Sequence, residues 1–279
     1  MKVLSTIAEV RAARAGLPML GFVPTMGFLH EGHLALVRRA KAECGTALAS
    51  LFVNPTQFAP GEDFDRYPRA RERDLALLEG AGCDLVFAPG VAEIYPAGFE
   101  TRIEIGGVTE GLEGAVRPGH FAGVATVVAK LFNIVQPTAA CFGQKDAQQV
   151  AVIQKLVRDL DMPVKIIVCD TVREADGLAM SSRNAYLSPV ERARAVILIR
   201  ALRAGEALVL AGERNAGTLR AAMHAVLATD ESARPDYVSA ADPHTLRELE
   251  AVGPNGTLLS LAVRIGTTRL IDNLLAGAG

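Results

Sequence analysis

The sequence has little cysteine, and no two cysteines have the CxxC spacing of metal and redox sites. The four cysteines are widely separated along 279 residues, so we expect reduced core thiols instead of a disulfide framework or a zinc site. No apolar run reaches about 18 residues, the length that a membrane-spanning helix needs. Residues 1–15 also lack the apolar stretch of a signal peptide. The sequence therefore predicts a cytoplasmic protein with no membrane partner.

A surplus of either charge is also missing. The chain has 29 lysines and arginines and 31 acidic residues, which gives a formal net charge of −2. Nucleic-acid-binding domains usually carry a basic surplus, so no nucleic acid is expected as a partner. A chain that is 50% hydrophobic and 22% charged is typical of a globular protein and excludes a disordered one.

Two common nucleotide-binding motifs are absent as well. The sequence contains neither the GxGxxG dinucleotide fingerprint nor the GxxxxGKS/T phosphate loop. These absences argue against an NAD-dependent enzyme and against a P-loop kinase.

What is present, up to about residue 170, is an alternation of short apolar runs with helical patterns. Strands that alternate with helices of about 10–15 residues favour a parallel sheet covered by helices, an α/β fold. The predicted strands are residues 19–23, where Pro24 is expected to end the strand, 47–53, 84–88, 101–105, 138–142 and 164–169. The predicted helices are residues 31–44, 69–79, 121–135 and 148–160, and residues 56–68 are predicted to form a long loop.

The pattern then changes to that of a smaller α+β unit. Ser188 followed by Pro189 is typical of a helix N-cap with proline at the first helical position. A long helix to about residue 211 and three short strands near the C-terminus are predicted. We place the boundary within residues 170–187 and divide the chain into domains 1–175 and 176–279. The other predicted elements here are helix 218–228 and strands 236–240, 257–262 and 269–274.

The most informative segment is Pro24-Thr-Met-Gly-Phe-Leu-His-Glu-Gly-His33, between the first predicted strand and helix. Ligands of open α/β sheets bind at the carboxyl ends of strands, beside helix N-termini. Gly27 and Gly32 permit close approach of a ligand to the backbone. His30 and His33 face the same way on a helical turn, and two such donors suit a polyphosphate whose charge grows in a transition state. A metal site, which needs a third ligand, and a purely structural turn stay open.

Five ordered blocks of the sequence resemble the pantoate–β-alanine ligase family, a branch of the nucleotidyltransferases with the His-x-Gly-His signature. The resemblance covers essentially the whole chain. The first block is Met26 to His33 and contains the signature His30-Glu-Gly-His33, and the second is Phe52-Val-Asn-Pro-Thr-Gln-Phe58 with Glu62-Asp63 and Tyr67-Pro-Arg69. The others are Arg117-Pro-Gly-His-Phe-Ala-Gly-Val124, Cys141-Phe-Gly-Gln-Lys-Asp-Ala-Gln-Gln149 and Met180-Ser-Ser-Arg-Asn184 with Tyr186-Leu187.

The resemblance implies a fold, a reaction and partners. The fold would be a Rossmann-like parallel sheet in an N-terminal domain, with a smaller α+β C-terminal domain. The reaction would convert pantoate and MgATP into pantoyl-adenylate and pyrophosphate, after which β-alanine displaces AMP to give pantothenate, a precursor of coenzyme A. ATP would be the co-substrate, Mg²⁺ would bind with it, and the chain would form a homodimer.

The resemblance also implies roles for single residues. His33 would be the proton donor, with His30 and Lys145 as further catalytic groups, and Gln57 and Gln149 would hold pantoate, Gln57 also lying near β-alanine. No residue is assigned to a metal. The ATP-binding positions would be Met26, Gly27, Phe28, Leu29, His30, Glu31, Gly32, His33, Gly143, Gln144, Lys145, Asp146, Val172, Met180, Ser181, Ser182 and Arg183; the family often has Glu at the position of Gln144.

Several interpretations stay open beside these roles. Residues 180–183 are expected to close over the triphosphate as a mobile lid, or to form a Ser/Thr turn before a helix. Asp146 would contact the nucleotide or cap the next helix. Asp74 is a weak candidate for Mg²⁺ because Arg71 and Arg73 lie beside it.

His120 would bind substrate or cap a helix, whereas His224 and His244 are expected at the surface. Two other functions are open. One is a nucleotidyltransferase that stops at transfer of AMP, for which Gln57 and Gln149 would have no role. The other is a tRNA-related module.

Overall fold

A computed structural model describes residues 1–59, 61–62 and 64–277. The chain forms two compact units. Unit 1 consists of Met1–Gly106, Arg117–Gln144 and Val152–Asp170, and unit 2 consists of Gly107–Val116, Lys145–Ala151 and Thr171–Gly279. The long uninterrupted part of unit 2 begins after Asp170, and two short segments that come earlier in the chain belong to the same unit.

Unit 1 contains the predicted parallel sheet, which confirms the Rossmann-like α/β class. Six strands lie in the order β1-β4-β3-β2-β5-β6, and all five pairings are parallel. The strand β3, one of the two central strands, is buried along nearly its whole length, as expected where helices cover both sides of a sheet. The strands are β1 (Lys2–Leu4), β2 (Gly21–Thr25), β3 (Ala47–Leu51), β4 (Leu85–Phe87), β5 (Ala139–Gly143) and β6 (Lys165–Cys169).

The helices that follow these strands begin and end where local sequence signals require. Thr6 and Glu9 form a capping box at the start of α1, and Gly45 ends α2 in the left-handed conformation. The helix α6 is apolar on nearly all sides, so it is buried. Their bounds are α1 (Ile7–Arg14), α2 (Glu31–Cys44), α3 (Arg71–Gly80), α4 (Val91–Ile94), α6 (His120–Val135) and α7 (Ala147–Asp159), with α5 (Leu112–Val116) in unit 2.

Unit 2 is the predicted α+β unit. Its strands β7 (Ala233–Ala241), β8 (Thr257–Ile265) and β9 (Thr268–Ala276) form an antiparallel sheet in that order. Its core joins apolar residues of helices and sheet, among them Leu202, Met223 and Leu259, which are fully buried. The helices of this core are α9 (Ile197–Leu210) and α10 (Ala216–Leu227), and the short helix α8 (Pro189–Arg194) before them has no buried residue.

The cysteines lie where the sequence predicts. Cys44, Cys83 and Cys141 are buried, Cys169 is partly buried, and all four thiols are free. Burial raises the pKa of Cys83 to about 11. A thiol with so high a pKa is protonated and unreactive at neutral pH.

Three predictions about local structure are wrong. Residues 101–105 form no strand, because this segment lies against α6, where the Ile103 N–H donates to Thr126 Oγ1 at 3.0 Å. The predicted long helix is two helices, α8 and α9. The two residues between them keep helical dihedrals, but the Leu198 N–H bonds the Ala195 carbonyl three residues back.

The strand β2 also continues through Pro24 instead of ending before it. Its pairing with β5 ends at Phe22, before the proline that lacks an N–H group. Of the predicted loop 56–68, Pro60 and Asp63 lie outside the described residues, and Asp63 is also part of the second sequence block.

Candidate active site

The chain leaves β2 in a tight loop. Gly27 and Phe28 have φ values of 87° and 49°, so two consecutive residues adopt the left-handed conformation, which is rare for phenylalanine. The Gly27 N–H donates to Thr25 Oγ1 at 3.3 Å. Such a conformation persists only where neighbouring groups hold it.

Helix α3 supplies the groups that hold this loop. Asp74 is 2% exposed, and its two carboxylate oxygens accept the N–H groups of Phe28 at 2.7 Å and Leu29 at 2.8 Å. Arg73 donates to the Leu29 carbonyl at 3.0 Å. A Cβ atom at Gly27 would lie 3.1 Å from Asp74 Oδ2. Because both oxygens serve the backbone, Asp74 anchors the loop, and this arrangement does not favour it as a Mg²⁺ ligand.

The structure brings the two histidines of the first block together. His30 is the extended N-cap residue of α2, and His33 is the third residue of the helix. Their ring centroids lie 4.0 Å apart. The His30 N–H donates to Nδ1 of His33 at 3.3 Å, so Nδ1 carries the lone pair and the neutral His33 ring is protonated at Nε2. His33 therefore presents Nε2–H as its donor.

Gln57 lies in a single 3₁₀ turn, Pro55–Gln57, that follows β3. Its side-chain amide accepts a hydrogen bond from Asn54 Nδ2 at 3.1 Å and donates to the Met26 sulfur at 3.2 Å. The turn packs closely on α6, where a Cβ atom at Gly123 would collide with the Thr56 carbonyl. The amide of Gln57 is therefore fixed beside the first block.

His120 holds the backbone of the same turn. Its Nδ1 lies 2.8 Å from the Gln57 carbonyl oxygen, which can only accept, so Nδ1 is the protonated nitrogen. Its Nε2 lies 3.1 Å from Arg117 Nη1. The N-cap residue of α6 is Gly119, so the interpretation of His120 as a cap is wrong.

Arg117 continues this network to the loop that follows Gln57. Its guanidinium donates two hydrogen bonds of 2.7 Å to Glu62, in the two-pronged geometry that suits carboxylates. Burial raises the pKa of Glu62, but the hydrogen bonds and charge of Arg117 outweigh it, so the net pKa is lowered. Sequence reasoning placed Arg117 in a block but gave it no role; the carboxylate partner 55 residues away could not be read from the spacing.

The fourth block lies at the end of β5. Gly143 ends the strand, and Gln144–Asp146 forms a 3₁₀ turn. The Lys145 ammonium lies 3.9 Å from the Asp146 carboxylate, and the Lys145 carbonyl accepts a hydrogen bond from Asn273 at 2.9 Å. An ammonium is a compact point charge suited to phosphate oxygens.

The two successive glutamines of α7 have different surroundings. Gln148 is buried, and its amide nitrogen donates to the carbonyls of Val108 and Gly111 at 2.9 Å each. Its amide oxygen accepts the Glu113 N–H at 2.9 Å. Gln149 is only half-buried. Gln148 therefore holds the segment Gly107–Val116 of unit 2, whereas part of Gln149 is exposed.

The fifth block forms one side of a short hairpin. The Met180 N–H donates to the Val172 carbonyl at 3.0 Å. Ser181 then begins a 3₁₀ helix, Ser182–Tyr186, and its hydroxyl accepts the Arg183 N–H at 3.2 Å. Ser182 is buried. The Ser/Thr turn that the sequence left open is therefore present, and Arg183 follows directly from it.

The described residues were compared with the requirements of a metal site and of a membrane-spanning helix. Within residues 1–59, 61–62 and 64–277 no group of three or more His, Cys, Asp or Glu side chains is placed to hold a metal ion. No helix in this described part of the chain is long and apolar enough to cross a membrane.

The carboxyl ends of β2 and β3 carry the paired histidines and the fixed amide of Gln57, and β5 ends at Gly143 at the same edge of the sheet. In open α/β proteins this edge of the sheet is where ligands bind. The fold and these side chains define the class, which is an α/β enzyme with a polar site at the carboxyl edge of a parallel sheet.

Comparison with known proteins narrows the class to one family. A family profile described as pantoate-beta-alanine ligase matches residues 2–275. The pantothenate synthetase of Chloroflexus aggregans is 62% identical over 275 residues, 99% of each chain. The crystal structure of pantothenate synthetase from Thermus thermophilus is 52% identical, with a TM-score of 0.94 over 99% of each chain. The chain belongs to the pantoate–β-alanine ligase family.

A third relative adds information about ligands. The pantoate-beta-alanine ligase of Francisella tularensis is 36% identical, with a TM-score of 0.83 over 100% of this chain and 99% of that one. Its crystal structure is described as a complex with beta-gamma ATP and beta-alanine.

Proposed function

We propose that this chain condenses (R)-pantoate with β-alanine to form pantothenate, through a pantoyl-adenylate and with release of AMP and pyrophosphate. Family membership over residues 2–275 supports the activity. The observation that carries the mechanism is the histidine pair at the end of β2, with ring centroids 4.0 Å apart at the N-terminus of α2. Donors at a helix N-terminus suit the growing charge of a phosphoryl transition state.

In the first step, a carboxylate oxygen of pantoate attacks the α-phosphorus of ATP. The bond from the α-phosphorus to the bridging oxygen breaks, and pyrophosphate leaves with the negative charge. We assign His33 Nε2–H to donation toward the departing phosphate, with His30 and Lys145 as further donors to phosphate oxygens. The protein forms no covalent bond to the substrates in this step, so positioning and charge stabilisation provide most of the rate acceleration.

Gln57 and Gln149 hold pantoate in this scheme. An amide offers a donor and an acceptor, which suits a substrate with hydroxyl groups and a carboxylate. The contacts of Gln57 with Asn54 and Met26 orient its amide before the substrate arrives.

In the second step, the amine of β-alanine attacks the acyl carbon of pantoyl-adenylate. The acyl C–O bond to the phosphate breaks, AMP leaves, and the amine nitrogen loses a proton as the amide forms. Gln57 is the residue that we also assign to β-alanine.

The remaining proposed ATP contacts come from the first, fourth and fifth blocks and from Val172. They are Met26, Gly27, Phe28, Leu29, Glu31, Gly32, Gly143, Gln144, Asp146, Val172, Met180, Ser181, Ser182 and Arg183. In this scheme domain 1–175 binds ATP and pantoate, and residues 180–183 of domain 176–279 close over the triphosphate as a lid.

Mg²⁺ is proposed to enter with ATP, bound mainly by phosphate oxygens and water. Two carboxylates belong to the proposed ATP contacts. Glu31 is paired with Arg38, whereas the ammonium beside Asp146, that of Lys145, lies 3.9 Å from its carboxylate. Asp146 is therefore the less tightly paired of the two and fits the cation better. When bound, Mg²⁺ would neutralise charge on the phosphates.

The chain is further proposed to act as a cytoplasmic homodimer. Four free thiols agree with a reducing compartment. Light scattering of the purified protein tests the dimer.

The experiment that tests the function is a product assay with ATP, Mg²⁺, pantoate and β-alanine. Pantothenate and AMP are expected in equal amounts. A nucleotidyltransferase that stops at AMP transfer would form no pantothenate, and that result would contradict the proposal.

A further inference from the structure

Strand β9 carries two adjacent polar residues that are almost fully buried. Asp272 is 2% exposed and Asn273 is 4% exposed. A buried carboxylate and amide are costly unless partners satisfy them. Neighbouring side chains on a strand point to opposite faces, so this dipeptide is placed to hold two different segments.

Asp272 holds the hairpin of the fifth block. Its carboxylate accepts two hydrogen bonds from Arg173, at 2.7 and 2.9 Å. Arg173 also donates to the Gly177 carbonyl at the hairpin turn, at 3.0 Å. Arg173 pairs with Ala179 across the hairpin, next to the bond from Met180 to Val172. One ion pair therefore holds the first side of the hairpin to β9, Arg173 also binds the turn at Gly177, and the second side is held through its pairing with the first.

Asn273 holds the fourth block. Its amide nitrogen donates to the Lys145 carbonyl at 2.9 Å, and its own carbonyl accepts from Arg173 at 3.3 Å. The backbone from which the Lys145 ammonium extends is thus tied to the strand that holds the hairpin. All these residues belong to unit 2.

We propose that Asp272 and Asn273 are positioning residues. They hold Lys145 and residues 172–183 at fixed positions relative to each other, so that both contact the same triphosphate. This inference rests on the proposed function, which assigns both segments to ATP. Pre-formed positions lower the cost of binding and of reaching the transition state. A purely structural anchor would affect the stability of unit 2 without a preference for one substrate, and this difference is measurable.

The test uses Asn273→Ala and Asp272→Asn in the full-length protein. The first removes the donor to the Lys145 carbonyl, and the second replaces the charged acceptor of Arg173 with a neutral one of the same shape. We expect the KM for ATP to rise about 10-fold, the scale of one lost hydrogen bond to a charged or buried group. The KM for pantoate should stay close to the wild-type value.

Glu113→Gln is the matched control. Glu113 is also a buried carboxylate of unit 2, and it accepts two hydrogen bonds of 2.7 Å from Arg269. Its backbone N–H donates to Gln148 of the fourth block, and the substitution leaves that bond in place. We expect it to lower the thermal midpoint like Asp272→Asn without raising the KM for ATP. Calorimetric titration with a non-hydrolysable ATP analogue gives a second readout that does not depend on turnover.

Three results would overturn the inference. The KM for ATP could stay unchanged in folded variants, it could rise equally in Glu113→Gln, or both β9 variants could fail to fold, which would mark the pair as structural. Failure of the proposed function looks different, because the wild-type protein itself would then form no pantothenate.

Discussion

At the scale of single residues, His33 has two roles that different substitutions separate. Its Nδ1 accepts the His30 N–H in the first turn of α2, while its Nε2–H is the proposed donor to phosphate. The position of His33 in the first block is visible in the sequence. The tautomer is not, because it depends on a backbone hydrogen bond that only the folded turn creates.

His33→Asn is expected to lower the rate of adenylation by about 10²- to 10⁴-fold, the usual scale for one charge-stabilising or acid–base group. Asparagine retains an acceptor near the position of Nδ1, so the thermal midpoint should stay near that of the wild type. His33→Ala should lose the same activity and also about 0.5–2 kcal/mol of stability, as for a lost cap. Activity of His33→Asn within a few-fold of the wild type would remove the catalytic assignment.

Gln57→Ala and His120→Phe are expected to weaken the binding of pantoate much more than the binding of ATP. The first deletes the amide, and the second deletes the bond that holds the Gln57 carbonyl. A hydrogen bond to a charged group is worth about 1.5–3 kcal/mol, which corresponds to a rise in KM of about 10- to 100-fold. Steady-state kinetics with each substrate varied gives the measurement, and the exposed His244→Ala serves as the control. A selective rise in the KM for ATP would place Gln57 outside the pantoate site.

At the scale of elements, the loop after β2 depends on α3. Asp74→Asn places an amide where the carboxylate accepts two backbone N–H groups, and an amide has only one acceptor oxygen. We expect the loop to lose its fixed shape and the KM for ATP to rise about 10-fold. Arg71→Gln, a change on an exposed residue of the same helix, is the control. An unchanged KM for ATP would show that the loop does not need this anchor.

The loop after the Pro55–Gln57 turn is tied to Arg117, just before α6, by a titratable pair. Since Arg117 lowers the pKa of Glu62 in the folded protein despite burial, Glu62 adds stability above its ordinary pKa of 4.5. That stability is lost as the pH falls through the lower, folded value. Glu62→Gln should therefore lower the thermal midpoint at pH 7, and the two proteins should converge in acid, once the pH has fallen below the lowered pKa of Glu62 in the folded protein. An equal difference at both pH values would contradict the ion-pair account.

The elements that the sequence predicts well are those with complete local signals. The bounds of α2 are predicted without error, because apolar spacing marks its face and Gly45 marks its end. The strand predicted at 101–105 is wrong, because an alternating pattern is also satisfied by an extended segment against a helix. Helix α1 is missed, although its capping box, Thr6 with Glu9, is a local signal that identifies it.

At the scale of the whole molecule, the fold class and the existence of two units follow from the sequence pattern. Which segments of the chain make up each unit does not. The segments Gly107–Val116 and Lys145–Ala151 belong to unit 2. Gln148 and Asn273 attach them through hydrogen bonds to partners as many as 128 residues away. Contacts at such separation leave no local pattern, so a single boundary in the sequence does not describe them.

The order of the two chemical steps provides the most direct test of the whole account. If a carboxylate attacks the α-phosphorus, the first step needs no amine. The protein should exchange labelled pyrophosphate into ATP when pantoate is present and β-alanine is absent, and the complete reaction should yield AMP. Attack at the γ-phosphorus would give ADP and inorganic phosphate instead. Nucleotide products are measured in parallel, because tightly held pyrophosphate would mask the exchange. Pantoate-dependent exchange with AMP as the product is the predicted result, and ADP in the complete reaction would contradict the adenylate mechanism.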